Sequence, residues 1–490
     1  MGYESLREWL EKLEETGELK RIKAEVDWNE EIGGIVHKVY EMKDKAPALL
    51  FENIKDYQNT HCKKLFTSSL STYTRIALML DLPQNTPVKE IIQTVRERVK
   101  NPLKPVPVKD GPCKQYIEKG DEVNVLQFPV PKWHARDGGR YINTCGGVIT
   151  KHPHTGWVNV GIYRGMVVDN NTISWMLQMG KHWGHHYCEY KKMGKPMPVA
   201  VVYGWDPVLP FVAGVPYPAG INEYEIMGAL RGKPVELIPC ETVDLEVPAT
   251  AEIVLEGFIP LEPESYRAEG PFGEFTGYYA SLSSPKPVSK IICITHRREP
   301  IFQGTVVGVP PNEDSRCSSI NMSAVVWEAL DRMGIPGITD VFCPPSIGNG
   351  TNVRVQINKR YKGHAKQVAA CIWSTATHQF KNVLVVDDDV DIRDPDALEW
   401  AFAYRVDPKE DIVIFPGCPG TPLDPSSSLQ DEESEAHGGG ARWNRLLIDA
   451  TKTWRWGPRK EWEGELFPPK VEVSLEIQRK VQNRWQEYGF

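Results

Sequence analysis

Short runs of strand-forming residues recur at 146–150, 157–163, 199–203, 251–258 and 289–295, cut by Gly, Pro and Asn turns. Spacing of this kind predicts a sheet or barrel domain from about 128 to 298. On either side the pattern becomes mixed α/β. Upstream, Leu6, Trp9, Leu10 and Leu13 repeat at helical spacing, as do Ile32, Ile35, Val36 and Val39, and a short apolar run follows at 48–51. The proline- and lysine-rich NPLKPVPVK favours an extended connection and marks a boundary between 101 and 131. Downstream, a Ser/Asn-rich turn leads into the helix-like SAVVWEALDRMG, a linker within 310–336. The run 353–357, a helix-like 365–373 and a strand at 383–386 then make another α/β unit. The acidic, Ser/Gly-rich SSSLQDEESEAHGGG at 426–440 has the makeup of a flexible loop.

At 490 residues the chain can bury a large core, and size alone suggests roughly two to four domains. A formal charge of −8 and the lack of any Lys/Arg block argue against nucleic acid as a partner. A small acidic substrate would need a local basic site. No apolar run reaches the ~18 residues of a membrane span, and the N-terminus lacks the apolar core of a signal peptide. Leu6 stands where a myristoylation signal needs Ser or Thr. The ten cysteines, scattered and without a C-x-x-C pair, read as reduced core thiols rather than a disulfide framework. These features together predict a soluble cytoplasmic protein.

The chemistry concentrates at 266–279, YRAEGPFGEFTGYY, where Glu269 and Glu274 flank a Gly270, Pro271, Phe272, Gly273 turn. Pro271 fixes one backbone angle while Gly270 and Gly273 permit others, so both acids can face one pocket. With Phe272, Phe275, Tyr278 and Tyr279 as an aromatic wall, one carboxyl would be poorly solvated and hold a proton, while a cation-paired neighbour stays ionised. A plain hairpin turn with solvated glutamates is the alternative. In NVGIYRGMVVD, alternation sends Asn159, Gly161 and Tyr163 to one face and Val160, Ile162 and Arg164 to the other, unless a bulge intervenes. Arg164 there is either a surface arginine on an edge strand or a buried one with an anion to meet. Further on, His182, His185 and His186 form H-x-x-H-H beside Lys181, a polar helix face or a metal site that lacks the glutamate of H-E-x-x-H. GINEYEIMGALRGKPVEL starts as a helix capped by Asn222 and ends near Gly232, and its Glu223 is a helix-dipole charge or a metal ligand. Asp387, Asp388, Asp389 and Asp391 end a strand without a Walker glycine loop and read as loop and capping acids.

NVGIYR, His182, NEYEIMGALRGKPVE and EGPFGEFTGYY stand in the order and spacing of the UbiD-type decarboxylases, which the chain resembles nearly throughout. The likeness extends to LREWLEKLEETGELKRI, THRREPIFQGTVVGVPPNED, VLVVDDDVDIRDPDALEWAFAYR and the closing WQEYGF. These enzymes are prenylated-FMN-dependent and reversible, and include ferulic acid, hydroxybenzoate, pyrrole-2-carboxylate and furandicarboxylate decarboxylases. The resemblance implies an α+β multidomain fold: an N-terminal α/β domain at 1–120, a central split β-barrel binding flavin and metal at 121–310, a linker helix at 311–335, and a C-terminal α/β oligomerisation domain with a terminal arm at 336–490. It also implies a homodimer, or a hexamer built as a trimer of dimers.

By resemblance, Asn159, His182 and Glu223 are ligands of a manganese ion that joins the protein to the cofactor phosphate, a mixed oxygen and nitrogen set that suits manganese. A potassium ion is implied near 213–215. Val160, Gly161, Ile162, Tyr163, Arg164 and Lys181 match cofactor-contacting positions, with Lys181 standing where ferulic acid decarboxylase has glutamine. Arg164, Glu269 and Glu274 match the catalytic arginine and two glutamates. Loss of CO2 from an aromatic carbon leaves an electron pair that the ring's own π system cannot absorb, and a modified flavin bonding to the substrate can take it. What remains for the protein is positioning, electrostatics and one proton. Glu274 is expected to protonate the product carbon, and Arg164 to pair with Glu269 and steer the substrate carboxylate. The expected substrate is a small aromatic carboxylate walled by Trp175, Trp183, Phe272, Phe275 and Tyr278, with CO2 as co-product and a separate flavin prenyltransferase supplying the cofactor. Two other readings remain: a metal-dependent hydrolase using His182, His185 and His186, and a noncatalytic flavin-binding assembly subunit.

Overall fold

A computed structural model describes residues 2–280, 282–347, 350–375, 379–421, 423–427 and 441–490. The opening helix Leu6–Glu15 buries Leu6, Trp9, Leu10 and Leu13, the stripe its spacing predicts. Helix Glu31–Tyr40 buries Ile32, Val36 and Tyr40. Both flank a four-stranded sheet ordered Leu19–Ile22, Ala48–Phe51, Lys64–Thr67 and Ile301–Gln303. Its last strand arrives from far along the chain and lies parallel to Lys64–Thr67.

The five strand runs read from the sequence all enter one nine-stranded sheet, as Gly147–Lys151, Val158–Gly161, Met197–Tyr203, Ile253–Ile259 and Val288–His296. Strands Tyr141–Asn143 and Gly165–Asp169 lie at one end of the pairing order, and Gly147–Lys151 and Val158–Gly161 at the other. Yet only residues 144–146 and 162–164 connect those two ends. Four peptide steps reach no further than ~14 Å, so the sheet has to curl until its ends approach.

Helix Glu313–Arg332 leaves this sheet behind a reciprocal cap, in which Asn312 Oδ1 accepts the Ser315 N–H at 2.9 Å and Ser315 Oγ accepts the Asn312 N–H at 2.8 Å. It starts well before the expected SAVVWEALDRMG, because that cap and a largely buried first half outweigh the modest helix propensity of its serines and asparagine. A five-stranded sheet follows, ordered Ile338–Phe342, Asn352–Ile357, Asn382–Asp387, Ala441–Ala450 and Ile412–Gly420, with helices His364–Thr375 and Pro395–Arg405. The segment expected to be a flexible loop, 426–440, lies outside the described residues from 428 onward. No helix among the described residues is long and apolar enough to cross a membrane. All ten cysteines are free, and only Cys188 and Cys240 are not fully buried.

Candidate active site

The single strand expected through NVGIYRGMVVD is interrupted. Val158–Gly161 ends and Gly165–Asp169 begins on opposite ends of the curled sheet, so 162–164 cross between them. Other segments take up the backbone of this link: the Ile162 N–H donates to Ala213 O at 3.2 Å, and Tyr163 O accepts from Asn143 Nδ2 at 2.7 Å. Strict alternation is thereby lost. Asn159, Val160, Gly161, Ile162, Tyr163 and Arg164 all line one cleft of about 390 Å³.

Arg164 is buried rather than on a surface edge. Its Nε and Nη2 donate side-on to the two carboxylate oxygens of Glu269, each at 2.9 Å, and Nη1 reaches Glu274 Oε1. Tyr141 Oη also donates to Glu269, at 2.9 Å. Glu269 is wholly buried behind the arginine, whereas Glu274 lines the cleft. The two acids therefore sit in different surroundings. Burial raises the pKa of Glu274, against the opposing pull of Arg164. For Arg164 burial works against the charge, but Glu274 and Glu269 outweigh it and raise its pKa.

The turn between the acids is pinned from outside. Asp137 Oδ1 accepts the Gly273 N–H at 3.0 Å, while Asp137 Oδ2 accepts the backbone N–H of His134 at 3.0 Å and lies 3.1 Å from its Nδ1. The other ring nitrogen of His134 meets His37 Nε2 at 3.1 Å. Gly270 uses its freedom as an angle, at φ 86°. Gly273 uses it as space, since a Cβ there would sit 2.7 Å from His134 Nδ1.

Helix Glu223–Arg231 is capped as expected by Asn222, whose Oδ1 accepts the Tyr224 N–H at 3.0 Å, and it closes on Gly232 at φ 69°. This sets buried Glu223 into the cleft, where its Oε2 accepts the Val160 N–H at 2.9 Å and its Oε1 lies 4.0 Å from His182 Nδ1. Burial pushes the Glu223 carboxyl up to about 7. Asn159 donates its Nδ2 to Tyr163 Oη at 3.2 Å, which leaves its amide oxygen free to face a cation. Asn159, His182 and Glu223 all line this cleft, and an amide oxygen, an imidazole and an under-compensated carboxylate make a donor set that fits a divalent cation. No cluster of three or more His, Cys, Asp or Glu side chains placed to hold a metal occurs among the described residues. Lys181 lines the same cleft, and burial lowers its pKa.

Several expected contributors lie elsewhere. Trp175 and Trp183 are core, with Trp183 stacked on Tyr163 at 4.1 Å, and Tyr278 and Tyr279 point to solvent at 63% and 41% exposure. Of the expected aromatic wall, Phe272 and Phe275 remain. The three histidines do not converge: His182 lines the cleft, His186 is buried with Nδ1 2.9 Å from Thr150 Oγ1, and His185 lines a separate cleft with His152 and Cys188. That removes the geometric basis for a hydrolase built on them. Asp387 and Asp389 pair with Arg405 at 3.3 and 2.8 Å, and Asp391 Oδ1 accepts the Arg393 N–H at 2.8 Å, so these three acids of the run are structural. The far wall comes from residues the sequence did not single out: Asp314 on the long helix, and Thr351, Gln379, Thr421, Leu423 and Trp443 beyond it. Only the acidic start of the helix after PPN signalled any of them.

Family models of the 3-octaprenyl-4-hydroxybenzoate carboxy-lyases match this chain in three consecutive parts, the N-terminal domain over 10–95, the Rift-related domain over 104–310 and the C-terminal domain over 318–450. The chain belongs to the UbiD family. The pyrrole-2-carboxylic acid decarboxylase of Pseudomonas aeruginosa is 31% identical, over 99% of this UbiD chain and 98% of its own. The vanillic acid decarboxylase of Sedimentibacter hydroxybenzoicus in its closed form superposes with a TM-score of 0.86 at 30% identity, covering 100% of this chain and 99% of that one. The UbiD-class enzyme HmfF of Pelotomaculum thermopropionicum in complex with FMN does so with a TM-score of 0.83 at 29% identity, covering 98% and 99%. Its evolved dimeric form in complex with prFMN gives 0.80 at 28%, covering 97% and 98%. As a UbiD-family decarboxylase, the chain is a carboxy-lyase.

Proposed function

We propose that this UbiD-family enzyme reversibly decarboxylates an aromatic or heteroaromatic (α,β-unsaturated) carboxylic acid with prenylated FMN as cofactor. The observation that carries the reading is the arginine shared by two unequal acids, Glu269 locked side-on and Glu274 open to the cleft. When bound, prenylated FMN supplies the electron sink by bonding to the substrate, chemistry that no side chain lining this cleft offers. Asn159, His182 and Glu223 would hold a manganese ion at the phosphate end, with potassium near 213–215. Val160, Gly161, Ile162, Tyr163 and Lys181 would flank the cofactor. Arg164, kept charged and oriented by Glu269, draws the substrate carboxylate toward Glu274. Glu274, whose burial favours the protonated form, gives its proton to the product carbon once CO2 has left. HmfF in complex with prFMN supports the cofactor assignment.

The rest of the reading concerns context. The curled sheet is the split barrel of the flavin-binding domain, within the division 1–120, 121–310, 311–335 and 336–490. A second copy of the chain covers the exposed apolar side chains of the terminal arm, giving a homodimer or a hexamer. A separate flavin prenyltransferase supplies the cofactor in the cytoplasm. Mass spectrometry of the small molecules released after co-expression with that enzyme, with metal analysis of the same sample, tests the assignment. Prenylated FMN with manganese near one per chain is expected, and a folded, metal-loaded protein without flavin would refute it.

A further inference from the structure

The turn between Glu269 and Glu274 is seated on the imidazole of His134. A Cβ on Gly273 would sit 2.7 Å from His134 Nδ1, and Phe272 and Tyr279 meet the ring edge-on at 6.3 Å each. Tyr279 is the titratable group that faces His134 from the returning strand, and its Oη accepts the Arg136 N–H at 3.1 Å. His37, half-buried on helix Glu31–Tyr40, backs the same ring with its Nε2 3.1 Å from His134 Nε2. A Cβ on Gly308 would come within 2.9 Å of His37 Cε1, and Gly308 follows Val307, which lines the cleft. Among the described residues, the side-chain hydrogen bonds and ion pairs of the two histidines run to each other and to the buried Asp137.

These contacts decide where the protons sit. The two carboxylate oxygens of Asp137 accept backbone N–H groups from Gly273 and His134, so toward the ring Asp137 is an acceptor and His134 Nδ1 carries the hydrogen. Neutral His134 then offers only a lone pair at Nε2, and His37 Nε2–H donates to it. A first added proton, on His37 Nδ1, leaves that bond in place. A second, on His134 Nε2, sets two N–H groups and two like charges against each other across 3.1 Å. Building on the decarboxylase reading, we propose that His134 is a positioning residue for Glu274, held as the Nδ1–H tautomer by Asp137 and braced by His37, and that this seat comes apart when both rings are protonated. Glu274 follows Gly273 directly, so losing the seat moves the carboxyl away from the carbon it protonates. Burial, and then His134, lower the pKa of His37. The unfolded chain therefore binds this proton more readily, and stability declines as pH falls below the ordinary histidine value of ~6.5.

Acid favours the protonated, donating form of Glu274, so titration of Glu274 alone would not slow the reaction at low pH. With flavin-loaded protein and an aromatic acid that wild type turns over, kcat should fall below pH ~6.5 while bound flavin and metal, measured at each pH, stay constant. His37→Gln, whose amide donates at every pH, should move that fall at least about one pH unit lower. His37→Phe, which removes the donor, should lower kcat at neutral pH about 3- to 10-fold and change KM less than about twofold. Urea midpoints give a readout free of activity: from about pH 8 to pH 5 wild type should lose more stability than His37→Gln. An acid fall that tracks loss of flavin or metal or that His37→Gln leaves unchanged, matched effects on kcat and KM in His37→Phe, or parallel urea profiles would overturn the proposal. Wild type releasing no CO2 from any aromatic acid would instead contradict the decarboxylase reading, and the urea comparison would still decide whether the histidine pair is sensitive to its second proton.

Discussion

Arg164 has one positive charge and two carboxylates to serve, so the acid it holds less firmly is the one that can keep a proton. Glu269 takes two guanidinium bonds and a tyrosine hydroxyl, whereas Glu274 takes a single guanidinium contact and is open to the cleft. A raised carboxyl pKa means that the donating form persists to higher pH than in a solvated glutamate and disappears as pH rises through the raised value. The kcat profile of the holoenzyme should therefore fall on its alkaline side. Arg164→Met, which removes the charge that favours ionised Glu274, should move that fall to higher pH in whatever activity remains. The same substitution leaves Glu269 buried without its counter-charge, and urea unfolding should show a loss of about 3–5 kcal/mol. A loss below ~1 kcal/mol would mean that water or another donor already serves Glu269.

At the scale of elements, the turn between Glu269 and Glu274 depends on parts that lie far from it in the chain. Asp137→Leu removes the acceptor of the Gly273 N–H and the anchor of His134 together. It should cost about 1–3 kcal/mol in stability from the orphaned donor and lower kcat more than it changes KM, because the acid next to Gly273 moves while the arginine does not. Equal effects on kcat and KM would argue against a positioning role. Helices and strands here were legible wherever burial is periodic: the Leu6, Trp9, Leu10, Leu13 stripe and the five strand runs all reappear as elements. The break after Gly161 was not, because it is imposed by sheet closure and by acceptors at Ala213 and donors at Asn143 rather than by local propensity. Nor was the His37, His134 and Asp137 chain, which no spacing announces.

Across the whole molecule, the cleft is walled by the curled sheet on one side and by the long helix and the C-terminal sheet on the other. Glu269 and Glu274 were legible because they lie close together in one turn. Gln379 and Trp443 were not, since only tertiary folding brings them to a turn more than a hundred residues earlier. The terminal arm shows the opposite case, a helix, Leu475–Asn483, with no buried residue and with Leu475, Ile477 and Val481 exposed, followed by an exposed Trp485. Exposed apolar side chains in such a run call for a covering surface. Deleting 471–490 should lower the oligomeric state in light scattering while leaving the far-ultraviolet spectrum of the fold nearly intact. An unchanged mass would place the arm outside the assembly. The most direct measurement is CO2 release by flavin-loaded Glu274→Gln beside wild type, with an aromatic acid that wild type turns over and with bound flavin quantified in both. Retained flavin with turnover lowered by at least about 10²-fold is the expected result; wild-type turnover by Glu274→Gln would show that Glu274 is not the acid.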